Sequence, residues 1–467
     1  MDYEYKNNSI WTGLSPAETD AVFAYGERYK AFLDAAKTER ECAAEVLRLA
    51  REAGFTDAQA LIDAHRAPTA GQRLYYNHKN KAVVLMVIGK SPLDRGLHIV
   101  GAHMDAPRLD LKAHPLYEDG GLALFKTHYY GGIKKYQWTC LPLSLHGLAY
   151  TAEGDAVSIR LGEDAGDPVL YITDILPHLG KKQQEKKLSE AIRGEDLNAV
   201  VGHQPAAGDD DEKAPVKAQI LRLIHEKYGL TEEDLLLAEL ELVPAQKAVD
   251  VGLDRSLIAS YGHDDRSCSY AALEALLSMA TPETTAVGLF VDKEEIGSVG
   301  NTSMSARYFE NLLAELLSPD HADSELAVRR TISRSAVLSA DVTAALDPTW
   351  PEVMDKRNTA YLGHGACLCK FTGARGKSGS NDANAEFLQK LRRVMARRNV
   401  PWQTGELGTV DEGGGGTIAY ILACRGAELV DCGVPMLSMH APVELVSKAD
   451  VWAASELYRA FLEETLD

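Results

Sequence analysis

The sequence predicts an α/β protein: a three-layer α/β/α domain, with helices on both faces of its sheet, interrupted by an inserted, β-rich second domain. Three observations predict it. Short apolar runs rich in β-branched residues, at 82–88, 97–102 and 286–291, have the unbroken hydrophobicity of strands buried on both faces. From residue 264 onward such runs alternate with helix-length segments, the pattern of a sheet covered by helices. Between residues 103 and 264 the character changes, and 467 residues exceed what one hydrophobic core usually serves.

Taken in order, Ser15-Pro16-Ala17-Glu18 reads as a helix start, with serine at the cap, proline in the first turn and glutamate three residues on. Apolar spacing continues through Phe23, Tyr29, Phe32 and Leu33, and a second helical pattern at 39–53 closes at Gly54. The strand at 97–102 delivers His103. Glycine-aromatic text from Tyr129 to Trp138 and alternating strand-like text at 141–161 follow. A polar stretch from Lys181 through Gly208-Asp209-Asp210-Asp211-Glu212-Lys213 reads as a solvated loop or hinge. Residues 111–249 are therefore predicted to be the insertion, and 1–110 with 250–467 the main domain. Beyond Asp264 the pattern predicts helices at 267–279, 306–317, 384–398 and 417–424, and strands at 286–291, 336–340 and 428–430.

Composition narrows the function. An apolar fraction of 45% with 25% charged residues is that of a soluble globular chain. The balance of 49 basic against 68 acidic residues, a formal charge of −19, argues against nucleic acid and anionic membranes as partners. The amino terminus lacks a basic region followed by an apolar stretch, and no run of about 18 apolar residues occurs. A cytoplasmic location is the expectation. Seven cysteines, an odd number spread over the chain, make no disulfide framework. Cys367 and Cys369 read as two thiols on one face of a strand, with no second pair nearby to complete a structural zinc site.

Five side chains fall at or just past the ends of strand-like runs: His103, Asp264, Glu295, Asp341 and His440. In doubly covered sheets ligands gather beyond the carboxyl ends of strands. Two imidazoles and three carboxylates suit two divalent cations with one bridging carboxylate, which offsets the repulsion between the ions. Asp105 lies two positions after His103, on the same side of an extended segment, where it can orient the second imidazole nitrogen. Alone, a His-x-Asp pair is more often a histidine at a core edge beside a solvated carboxylate. Asp264-Asp265 precedes a helix, so one of the two is expected merely to cap its first turn. Glu294-Glu295 would repel at a strand end without a nearby positive charge. Glu295 is read as a ligand, and Glu294 as the general base that deprotonates a water held between the metals and passes the proton to the leaving amine. Asp341 and His440 singly could be turn residues, and it is the five in order that carry weight. Gly413–Gly416 lacks a following Lys-Ser/Thr and is no phosphate loop.

The phrases His103-Met104-Asp105-Ala106-Pro107, Asp264-Asp265, Asp292 to Gly297, Leu338-Ser339-Ala340-Asp341 and Leu437-Ser438-Met439-His440 resemble, in order, the signature segments of the aspartyl-aminopeptidase-like family of di-zinc metalloaminopeptidases. The resemblance covers essentially the whole chain and implies a zinc-exopeptidase-like catalytic domain. It implies that His103 and Asp341 hold one metal and Glu295 and His440 the other, with Asp264 bridging. The metals would be zinc, with cobalt or manganese as alternatives, and the substrates peptides. It further implies a homo-oligomer, a tetrahedral dodecamer built through the insertion, which also restricts access. One segment departs. Where family members with acidic preference carry a histidine and an Asp-Arg-Asp triplet, this chain has Tyr136 and Cys140-Leu141-Pro142, resembling a bacterial branch. The preferred amino-terminal residue is therefore left open, although Lys370 lies near the position of a family lysine that could meet a substrate carboxylate. Two other functions share the raw materials. The same di-metal plan serves carboxypeptidases and amide deacylases, and a non-catalytic scaffold would keep the metal site only as structure.

Overall fold

The structure, a computed structural model, describes residues 3–207, 213–321 and 323–466. The stretch 208–212, the most acidic part of the expected polar loop, and Met1-Asp2 of the amino terminus lie outside the described residues. The chain divides into two compact units, one of Met1–Asp105, Ala248–Met439 and Glu444–Asp467, the other of Ala106–Lys247 and His440–Val443.

The first unit is built on a nine-stranded sheet, in the order Thr56–Asp57, Arg73–His78, Ala82–Val87, Ala286–Val291, His98–His103, Ala336–Ser339, Glu428–Gly433, Ala366–Cys369 and Trp402–Thr404. Its centre is parallel: Val291 pairs with His103, Ser339 with Gly101, and Ser339 with Asp431. These parallel strands end on the same edge, which places His103, the segment after Val291 and the segment after Ser339 side by side.

Alternate residues of these strands feed two separate cores. Val83, Leu85, Val87, Ala286 and Phe290 join one apolar cluster with the helices Pro16–Ala35, Glu39–Glu52, His263–Ser278, Ala385–Arg398 and Lys448–Glu463. Ala82, Val84, Met86, Val287, Leu289 and Val291 join the other, against the helices Tyr308–Leu317, Ser324–Ser333 and Ala419–Ala423. This two-sided burial is what the unbroken apolar runs encode, since each large side chain taken out of water contributes about 1.5–3 kcal/mol. The first two long helices start as the sequence predicts: Ser15 and Glu18 close a capping box, with Pro16 in the first turn, and Thr38 and Glu41 close a second. A further five-stranded sheet joins Val249–Val251, Leu257–Ser260, Glu444–Ser447, Pro435–Leu437 and Thr343–Ala344.

The second unit is β-rich. Its strands run in the order Glu239–Pro244, Arg108–Asp119, Leu122–Tyr130, Ala199–Gly202, Leu170–Ile172, Pro142–Tyr150 and Ala156–Leu161. Glu239–Pro244 also pairs with Pro142–Tyr150, closing six of the strands into a hydrogen-bonded ring. Glu118 accepts hydrogen bonds from the main-chain nitrogens of Val216 and Lys217, anchoring the start of the helix Pro215–Tyr228 with a carboxylate where its dipole favours negative charge. The stretch from Lys181, expected as loop, holds two one-turn helices, Lys181–Gln184 and Leu188–Ala191, and the strand Ala199–Gly202. Ile192, Leu197 and Ala199 are buried and account for the order that the polar text conceals. Among the described residues no helix is long and apolar enough to cross a membrane.

Candidate metal centre

The centre grows from three strand ends. His103 closes the strand His98–His103, its side chain almost fully buried, and its main-chain carbonyl accepts from the Ser269 hydroxyl at 2.8 Å. Its Nδ1 bonds the main-chain oxygen of Asp105 at 2.9 Å, with the Asp105 carboxylate at 3.4 Å. The expected partner residue is therefore present, but the carbonyl makes the closer contact. The carboxylate is committed elsewhere, accepting from the main-chain nitrogens of Glu294 at 3.1 Å and Glu295 at 3.2 Å. Those two glutamates occupy a single 3-10 turn after Val291, entered through Lys293 in the left-handed region at φ 68°. The Lys293 ammonium reaches Asp292 and the Thr302 hydroxyl, and so ties the turn to the following loop.

Asp264 and Asp265 have non-helical dihedrals at the start of His263–Ser278, and the peptide bond between them is cis. Asp264 Oδ1 lies 3.1 Å from His103 Nε2, and its main-chain nitrogen donates to Glu444 at 3.1 Å. Asp265 accepts from the His103 main-chain nitrogen at 3.2 Å. Potential ligand atoms of His103, Asp264 and Glu295 lie within 4.8 Å of one another, as do those of His103, Asp265 and Asp341. The expectation that one of the two aspartates merely caps the helix is corrected, because both carboxylates turn into the cluster. His440 falls in the second unit, in the left-handed region at φ 64°, with its Nδ1 2.7 Å from the Gly132 carbonyl.

Electrostatics make the cluster a site for positive charge. Burial alone would lower the His103 pKa, but hydrogen bonds to Asp105 and Asp264, with the charge of Asp265, hold it well above its ordinary range. Asp265 is pushed well up by burial, opposed by His103 and reinforced by Asp264; Asp341 is pushed up by burial and by Asp265. Carboxylates that raise one another's pKa while drawing a proton onto an imidazole fit a divalent cation, which would displace that proton. One imidazole with four carboxylates is a hard, oxygen-rich donor set compatible with zinc.

Two residues close to the cluster went unread in the sequence. Glu444 is buried and supports Asp264, and its only signal is its place in His440-Ala441-Pro442-Val443-Glu444. His263 is fully buried, with its pKa lowered by burial to about 3. It carries no local signal beyond preceding Asp264. The histidines His114, His128, His146 and His364 lie outside both ligand clusters.

Comparison with known proteins finds close matches along nearly the whole chain. A family model described as aminopeptidase I zinc metalloprotease (M18) matches residues 32–462. A Clostridium acetobutylicum protein named "Probable M18 family aminopeptidase 1" is 49% identical over 98% of each chain. A crystal structure of an M18-family aminopeptidase from Thermotoga maritima matches with a TM-score of 0.94 at 42% identity, over 99% of this chain and 100% of that one. A crystal structure of aminopeptidase I from Clostridium acetobutylicum matches with a TM-score of 0.93 at 44% identity and the same coverage.

Proposed function

This chain belongs to the M18 family of zinc aminopeptidases, which are metallopeptidase hydrolases, and from that premise we propose how its own residues remove amino-terminal residues from peptides. The carrying observation is the convergence on His103 of two sets of ligand atoms, one with Asp264 and Glu295 and one with Asp265 and Asp341. Of these, His103 and Asp341 would hold one zinc ion and Glu295, with His440, the other, the Asp264 carboxylate being shared. Zinc bound there supplies Lewis-acid polarisation of the scissile carbonyl and lowers the pKa of water.

The remaining chemistry falls to the protein. Glu294 takes the proton of the attacking water and delivers it to the leaving amine. Its backbone is fixed by the Asp105 carboxylate, which holds Glu294 and Glu295 through consecutive N–H groups. Asp105 also orients the His103 ring through its main-chain oxygen, so both active carboxylates and the imidazole are set by one residue. His440 enters as a metal ligand on its sequence setting, Leu437-Ser438-Met439-His440.

Peptides in the cytoplasm are the proposed substrates, and nucleic acid and membranes are not partners of so acidic a chain. We also read the chain as a homo-oligomer. A yeast relative, 20% identical with a TM-score of 0.74, is described as the mApe1 dodecamer. In the unit holding Ala106–Lys247, the apolar side chains Leu176, Leu179 and Leu188 are 50%, 69% and 62% exposed. A tetrahedral dodecamer assembled through that unit is the proposed form.

Glu294→Gln tests the reading. It removes proton transfer and keeps the shape, so turnover of an aminoacyl-fluorogenic substrate should fall about 10²- to 10⁴-fold while the zinc content of the purified protein stays at two per chain. Undiminished turnover would refute the base, and a content below two the paired ions.

A further inference from the structure

We propose that Tyr29 and His263 form a positioning pair that fixes how the Asp264 carboxylate approaches the ligand cluster, so that a helix far from Asp264 in sequence sets metal affinity. The inference rests on reading His103, Asp264 and their neighbours as metal ligands.

His263 immediately precedes Asp264, and both of its ring nitrogens are engaged. Nε2 lies 3.1 Å from the Ile258 carbonyl. A carbonyl only accepts, so Nε2 carries the hydrogen and Nδ1 a lone pair. The Tyr29 hydroxyl therefore donates to Nδ1, at 2.7 Å. Neither side chain sees solvent, and among the described residues nothing but this pairing satisfies the imidazole on the Tyr29 side.

Tyr29 is itself packed on all sides. It belongs to the helix Pro16–Ala35, and its ring stacks on Tyr270 with centroids 5.3 Å apart and planes 27° from parallel. The His263 carbonyl accepts from the Ser267 hydroxyl at 2.8 Å, which pins the other side of the same residue. Orientation thus passes from the helix through one hydroxyl to the ring of His263 and on to the main chain that carries Asp264. At its end, Asp264 Oδ1 stands 3.1 Å from His103 Nε2. Ligand geometry of this kind must hold to within about 0.5 Å, so release of the ring would be felt at the carboxylate. Neither Tyr29 nor His263 is among the candidate ligands, which makes the pair a positioning device.

The test uses the full chain with zinc as the probe. Tyr29→Phe keeps the stacking and removes the hydroxyl. His263→Gln offers an amide N–H for Ile258 and a carbonyl oxygen for Tyr29, whereas His263→Asn is too short to reach both. In competition with a chromophoric chelator, Tyr29→Phe and His263→Asn should bind zinc about 10- to 100-fold more weakly, the usual effect of losing a residue that supports a ligand. Their kcat should fall with KM nearly unchanged, while His263→Gln should stay close to wild type in zinc affinity. A Tyr29→Phe or His263→Asn protein that binds zinc like wild type, whatever its melting temperature, would overturn the proposal. A wild-type chain that binds no zinc would overturn the ligand reading itself, and this pair with it.

Discussion

The Asp105 carboxylate receives two consecutive main-chain N–H groups, from Glu294 at 3.1 Å and Glu295 at 3.2 Å. An ionised carboxylate can accept both. An amide cannot, because its NH₂ would face one of the two donors. Asp105→Asn should therefore lower kcat about 10- to 100-fold by displacing Glu294 and Glu295, with a circular-dichroism spectrum and melting temperature near wild type. Steady-state kinetics on an aminoacyl substrate decide it, and an unchanged kcat would show that the turn holds itself. The i, i+2 spacing makes Asp105 legible as a neighbour of His103, since extended residues two apart share a side. It does not reveal that the carbonyl would take the imidazole and the carboxylate a distant turn, because Glu294 lies on another strand's continuation. Asp265 was opaque for a related reason. A carboxylate ahead of a helix fits capping equally well, and only the third dimension shows it accepting from the His103 nitrogen at 3.2 Å.

Individual strands and helices were read best where burial is strongest. The run 286–291 is the strand Ala286–Val291, and 384–398 is the helix Ala385–Arg398 to within a residue. The reason is visible in the strand's partners: Ala286 and Phe290 face one core, and Val287, Leu289 and Val291 the other, so every position is selected for apolarity. Leu289→Ala would empty part of the second core, and the cost for such truncations is about 2–5 kcal/mol. The melting temperature should drop, while zinc content per folded chain persists, because Leu289 points away from the cluster. A melting temperature within a degree of wild type would contradict the packing described. Other elements passed unread. Lys448–Glu463 is buried at Ala449, Val451, Ala453, Ala454, Leu457, Tyr458, Ala460, Phe461 and Leu462, and its small residues spread around the helix leave no narrow apolar stripe to notice. Arg73–His78 is mostly half-buried, with the mixed text Arg-Leu-Tyr-Tyr-Asn-His, and lacks the unbroken apolar run of its neighbour Ala82–Val87.

Over the whole molecule, acid stability depends on groups that folding holds in one protonation state, and His98 is one whose effect can be isolated. It opens the central strand His98–His103, is 6% exposed, and stacks on Phe461 with centroids 5.1 Å apart and planes 25° from parallel. Burial lowers its pKa from 6.5 to about 4, against hydrogen bonds to the main chain of Phe461 and Leu462. The unfolded chain therefore takes up a proton at this residue below about pH 6.5, and the folded chain only below about pH 4. Between those values the unfolded state binds more protons, so stability falls as the pH falls; above the window the group contributes no slope, and below it the loss is complete. A shift of this size corresponds to about 3 kcal/mol at most. His98→Gln cannot take up the proton and also loses the stacked ring, so it should melt below wild type at pH 7.5. The gap should then narrow steadily between pH 6.5 and pH 4, where only wild type carries the penalty. Melting curves across that range measure it, and curves that stay parallel would mean that His98 already titrates normally in the folded protein.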